Sequence, residues 1–184
     1  MHSYHSVINP MSLFLRKNKI HSKMDIRNNW NSNTVNYRHR IRRWLFKKSY
    51  DESVMDINQI PFGYGQEGSY SISHCEDLGG AIIVKNGIVG LDFETSSRIH
   101  SRIQQKLELK NEQPLRVPAD IMWVIKEAAF KANQKNLNTI FQIEIKKFKK
   151  LRKNRWYFET ENTTGLSLRW KKWAFAIALR SDFP

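Results

Sequence analysis

The run Trp173-Ala174-Phe175-Ala176-Ile177-Ala178-Leu179 constrains the fold more than any other stretch of the chain. Large apolar residues alternate with alanine, the period of a β-strand, whose successive side chains leave opposite faces. Neither face is polar, so both must be covered. The large side chains need a core, and the alanine face lets a helix approach closely. At seven residues the run is far too short to cross a bilayer, which needs about 20.

The elements around this strand alternate in type. Residues 1–34, rich in Ser, Asn, His and Lys, show no sustained period and read as a loosely ordered N-terminal arm. Residues 35–50 read as a helix with Tyr37, Ile41, Trp44 and Leu45 on one face and arginines around the rest. A loop carrying Pro61, Gly63, Gly65 and Gly68 leads to strands at Ser69–His74 and Ala81–Val84, joined by an acidic turn from Glu76 to Gly79. Gly87–Glu94 reads as a further strand and residues 96–110 as a helix. Asp120–Ala132 is the strongest helix, with Asp120 as its start signal. Alternation of Phe141, Ile143 and Ile145 with Gln142, Glu144 and Lys146 predicts a strand over 139–147, followed by one over 155–160. The order predicts an α+β protein: the arm (1–34), a first half (35–86) and a second half (87–184).

Net charge is +14, from 31 Lys and Arg against 17 Asp and Glu. Such a field favours nucleic acid, acidic proteins, anionic lipid or phosphorylated ligands. The single cysteine, Cys75, excludes an internal disulfide and a cysteine-based zinc site. Residues 1–34 lack the apolar core of a secretion signal, so a cytoplasmic location is expected.

Three groups of residues carry chemistry. Asp92 and Glu94, two apart on a strand, leave the same face; near a core they repel unless a cation or protons intervene. The same pair also fits a solvated strand end. Glu127 and Lys131, four apart, share a helix face, as any surface ion pair would. His74 ends the segment Ser71-Ile72-Ser73-His74 and fits either a polar strand end or a site residue. No P-loop or dinucleotide fingerprint is present.

Taken in order, Ser71-Ile72-Ser73-His74, Val89-Gly90-Leu91-Asp92-Phe93-Glu94 and Trp123-Val124-Ile125-Lys126-Glu127-Ala128-Ala129-Phe130-Lys131 resemble the signature of the 4′-phosphopantetheinyl transferase superfamily. Trp123, Lys126, Glu127, Ala128 and Lys131 match the most specific of its motifs. The resemblance covers about residues 37–180 and is closest to the monomeric, pseudo-twofold branch. It implies two related α+β halves with antiparallel sheets packed on helices, and coenzyme A between them.

By that resemblance Asp92, Glu94 and Glu127 would hold Mg²⁺, and Glu127, alone or through a metal-bound water, would take the proton of a carrier serine. Lys131 would neutralise developing charge, and His74 with Ser73 would meet a coenzyme phosphate. Lys126 would touch the coenzyme, and Arg38 and Arg43 its 3′-phosphate. The partner would be an acidic apo acyl or peptidyl carrier protein. Two departures stand out: Asp92 and Glu127 are 35 positions apart, shorter than usual in this branch, and Pro61–Glu67 holds no lysine or arginine. The rival reading is a basic single-stranded nucleic-acid-binding protein. It rests on Lys146, Lys147, Lys149, Lys150, Arg152, Lys153 and Arg155, with Phe148, Trp156 and Tyr157 interleaved. A carrier-steering rim or a plain basic hairpin would use the same residues.

Overall fold

The computed structural model describes residues 4–48, 62–64, 68–76, 78–99, 117–133 and 137–180. In chain order its elements are α1 (His5–Lys17), β1 (His21–Arg27), α2 (Tyr37–Lys48), β2 (Phe62–Tyr64), β3 (Gly68–His74), β4 (Gly79–Lys85) and β5 (Ile88–Thr95). Then come α3 (Ala119–Asn133), β6 (Lys147–Arg152), β7 (Arg155–Glu159), β8 (Thr164–Trp170) and β9 (Trp173–Arg180). The protein is α+β. One antiparallel sheet has the order β1-β4-β3-β2, the other β5-β9-β8-β7-β6. The chain passes between them at Asn86-Gly87, where Asn86 takes φ 58°, a left-handed conformation that asparagine tolerates well.

The two faces of β9 are covered as the alternation requires. Phe175, Ile177 and Leu179 enter a core shared with α1 and with Ile26, Ile82 and Val84 of the first sheet. Each such side chain contributes ~1.5–3 kcal/mol on burial. Ala174, Ala176 and Ala178 face α3. The fit there is close enough that a Cβ on Gly90 of β5 would lie 1.8 Å from the Ala128 carbonyl oxygen. On the far face of the first sheet, Tyr70, Ile72, Ala81 and Ile83 pack under α2 through Ile41 and Leu45. The layers run α2, first sheet, shared core with α1, second sheet, α3.

The loosely ordered N-terminal arm is corrected by α1 and β1. Val7, Met11 and Leu15, spaced by four, are fully buried, and Trp30 is nearly so. This stripe is narrow, and Pro10 within it removes a backbone donor, so composition concealed it. Tertiary burial rather than propensity makes the helix. The loop expected between Pro61 and Gly68 contains β2, which pairs with β3. The helix expected over 96–110 starts as a 3-10 turn, Ser96–Arg98, and residues 100–110 lie outside the described residues.

The strand expected over 139–147 is also corrected. Thr139 caps a 3-10 turn at Ile140–Gln142, and residues 143–146 run outside any ladder before β6 begins at Lys147. The alternation there was real, since Ile143 and Ile145 are buried and Glu144 and Lys146 exposed. It marks a segment laid along α3, not a paired strand.

Candidate active site

The two sheets meet through serines. Ser69, Ser71 and Ser73 project from one face of β3 toward the free edge of β5, and their Oγ atoms accept from the N–H groups of Val89, Leu91 and Phe93 at 2.8, 2.9 and 3.3 Å. These N–H groups point away from β9, and without the serines they would be buried donors lacking partners. A side-chain ladder therefore fixes β5 against β3, ending at Ser73. There the hydroxyl also donates to Asp92 Oδ1 at 2.8 Å.

Asp92 and Glu94 share a face of β5 with Gly90, the glycine pressed against Ala128, so both carboxylates stand under α3. Lys131 of α3 is buried, and its ammonium donates to Asp92 Oδ1 at 2.8 Å, to the Leu91 carbonyl at 3.0 Å and to the Ile72 carbonyl at 3.3 Å. One side chain thus ties α3 to both sheets. Lys131 and Ser73 both use Oδ1 of Asp92; Oδ2 receives neither bond.

The acidic groups sense one another. Burial, then the Asp92 charge, pushes Glu127 up to about 7, with Glu94 adding to the rise and Lys131 opposing it. Burial likewise raises Glu94, whose carboxylate accepts from Thr95 N at 2.8 Å and pairs with Arg98 at 3.2 Å. His74 is lowered, first by burial and then by Lys131 and Arg38, with Asp92 opposing. Its Nε2 lies 3.1 Å from the Tyr37 hydroxyl, to which Arg38 Nε donates at 3.1 Å. Three sequence segments far apart in the chain, together with the first turn of α2, converge here.

Residues expected at the site divide accordingly. Asp92, Glu94, Glu127, Lys131, His74 and Arg38 are brought into mutual electrostatic reach. Ser73 is there too, but its hydroxyl is turned inward to Asp92 and the β5 backbone and is almost wholly buried, not open to a coenzyme. Lys126 lies elsewhere: it is buried on the packed side of α3 and donates to the Ile143 carbonyl. Arg43 is exposed, about 200° around α2 from the packed Ile41, so it does not share the face of Arg38. Sequence reading missed Tyr37 as a polar contact, having assigned its whole side chain to packing. It also missed the serine ladder, although Ser-x-Ser-x-Ser on a strand places three hydroxyls on one face.

An oxygen-only donor set of carboxylates suits a hard divalent cation. Among the described residues no three His, Cys, Asp or Glu side chains already stand grouped to enclose an ion. The donor chemistry nevertheless fits: Asp92 keeps Oδ2 for a ligand, and Glu127 carries an excess of neighbouring negative charge that a cation relieves.

The basic hairpin β6–β7 lies apart from this cluster. Register across the second sheet runs Asp92, Ala176, Ser167, Trp156, Lys150, which puts Lys150 four strands from Asp92, about 19 Å at ~4.8 Å per strand. Lys146 and Lys147 pair with Glu144 and Glu159. Phe148 stacks on Trp156 with ring centroids 6.1 Å apart. A scan of protein-family models gives no match to the chain, and a search of curated proteins gives none either.

Proposed function

We propose that this chain is a 4′-phosphopantetheinyl transferase, moving the phosphopantetheine arm of coenzyme A onto a serine of an apo acyl or peptidyl carrier protein. The observation that carries the reading is the meeting of the three motif segments: Ser73 and Lys131 both bond Asp92 Oδ1, with Glu127 and His74 close by in charge. Each sheet also carries its own helix on its outer face, α2 on one and α3 on the other, compatible with two α+β halves around a shared seam.

In this reaction the serine oxygen forms a bond to the phosphorus that bears pantetheine. The bond from that phosphorus to the bridging oxygen of the pyrophosphate breaks, and adenosine 3′,5′-bisphosphate leaves with that oxygen. Glu127 takes the serine proton, directly or through a water; a cation that offsets the neighbouring Asp92 charge would keep it ionised and able to accept. Lys131 keeps Asp92 oriented and holds a fixed positive charge beside the phosphates, where negative charge accumulates. Ser73 acts through Asp92, fixing the oxygen that does not face the ligand. His74 and Arg38 meet a coenzyme phosphate. Asp92, Glu94 and Glu127 would hold Mg²⁺, which when bound draws charge from the pyrophosphate oxygens.

The carrier is the acidic partner that a basic surface would attract, and Lys149, Lys150, Arg152 and Lys153 of the hairpin are exposed for it. The single-strand reading needs open aromatic faces. Phe148 and Trp156 are stacked on each other and the Lys147 ammonium stands over the Tyr157 ring, which leaves fewer faces free for bases. No helix among the described residues is long and apolar enough to cross a membrane. The test is carrier-dependent release of adenosine 3′,5′-bisphosphate from coenzyme A in Mg²⁺. Release that Asp92→Asn abolishes supports the proposal. Tight binding to a generic single strand with no release supports the rival.

A further inference from the structure

The Tyr37 hydroxyl sits between two nitrogens. Arg38 Nε lies 3.1 Å from it on one side and His74 Nε2 lies 3.1 Å on the other. A phenol has one proton to give, and an arginine Nε–H is always a donor. The phenol oxygen therefore accepts from Arg38, and its own proton must go to an acceptor. Among the described residues His74 Nε2 is the acceptor within reach. A bond from the Tyr37 hydroxyl to Nε2 requires Nε2 to present a lone pair. In a neutral imidazole that leaves the ring proton on Nδ1. The ring is also held in orientation, edge-on to Tyr37 with centroids 4.9 Å apart. The ring is partly buried, and Lys131, Arg38 and Arg98 face it with positive charge against Asp92's negative charge, so a second proton is disfavoured.

We propose that Tyr37 is a positioning residue that locks His74 in its Nδ1–H form, so that His74 meets the coenzyme as a neutral donor to a phosphate oxygen and not as a base. The identity of the ligand rests on the transferase reading; the lock itself does not. Arg38 gains from the same contact. Held at Nε, it offers its two terminal nitrogens to one ligand, and the helix places it beside His74.

The experiment is long-range proton–nitrogen correlation NMR on the ¹⁵N-histidine-labelled full chain at neutral pH, with His74 assigned through His74→Gln. No substrate is needed. The wild type should show a protonated, pyrrole-type Nδ1 and a bare, pyridine-type Nε2 at His74. Tyr37→Phe keeps the ring and its edge contact but removes the donor, and His74 should move to the Nε2–H form that a free side chain prefers. Coenzyme A binding by calorimetry should weaken about three- to tenfold in the same variant, the scale of one neutral hydrogen bond. A wild-type proton on Nε2, or a tautomer unchanged by Tyr37→Phe, overturns the lock. A tautomer that changes while coenzyme A affinity does not overturns the assignment of His74 as a phosphate donor. The expected tautomer in a chain that binds no coenzyme A would refute the transferase reading and the ligand named here, and leave the lock standing.

Discussion

Glu127→Gln gives the sharpest stability test, because it removes the charge that the fold resists. In the folded chain Glu127 is held near 7 rather than at the ordinary 4.5, so folding favours its protonated form. The sign follows from linkage: this contribution is most favourable below about 4.5, is lost as pH rises from there through about 7, and is flat above. The span from 4.5 to about 7, at ~1.36 kcal/mol per pH unit, bounds the penalty at about 3.4 kcal/mol. Glu127 keeps some solvent contact, and screening reduces this to about 1.5–2 kcal/mol. In a chain of this size that is roughly 3–8 °C in Tm. Glutamine mimics the protonated acid, so in chelator the variant should match wild type near pH 4.5 and melt higher by that amount at pH 8. Glu94 is raised by the same cause, but it is common to both proteins and cancels to first order. Mg²⁺ added at pH 8 should recover stability in wild type and far less in the variant. A Tm difference that is the same at pH 5 and pH 8 would refute the reasoning.

Lys131→Ala should lower kcat on the order of 10²–10³-fold and destabilise the fold by ~3–5 kcal/mol, since it leaves buried Asp92 without its cation. Lys126→Ala, which removes the donor to the Ile143 carbonyl, should cost stability in urea and leave the coenzyme A KM unchanged. Gly90→Ala should cost about 3 kcal/mol or more in urea unfolding, because the new methyl meets backbone atoms of α3. Replacing Lys149, Lys150, Arg152 and Lys153 with serine should raise the carrier KM and flatten its salt dependence, with coenzyme A KM unchanged; loss of nucleic-acid binding instead would favour the rival.

Alternation made β9 legible from sequence, because a strand with two apolar faces can be satisfied in few ways, and the alanine face did receive a helix. The helix at α3 was legible for a similar reason: its apolar positions repeat through several turns before Asn133. Spacing put Glu127 and Lys131 on one face of α3, where they read equally well as a surface ion pair; in the structure Lys131 is buried and pairs with Asp92 instead. What stayed hidden was tertiary. The stripe of Val7, Met11 and Leu15 looks like coil until Leu166, Leu168 and Phe175 are there to cover it. Ser73 reads as an open polar residue until the N–H groups of β5 are seen to need an acceptor. Lys126 and Glu127 are neighbours in one motif, yet a turn of about 100° sends one to the packed side of α3 and the other to the carboxylates.

The most direct test of the transferase reading is the mass of a carrier protein after incubation with the full chain, coenzyme A and Mg²⁺, across a panel of apo acyl and peptidyl carriers. At least one carrier should gain the mass of a single phosphopantetheine group on its serine, and the gain should vanish when that serine is alanine, when Mg²⁺ is chelated, or when the enzyme carries Asp92→Asn. No gain on any carrier, with the protein folded and the coenzyme intact, would contradict it.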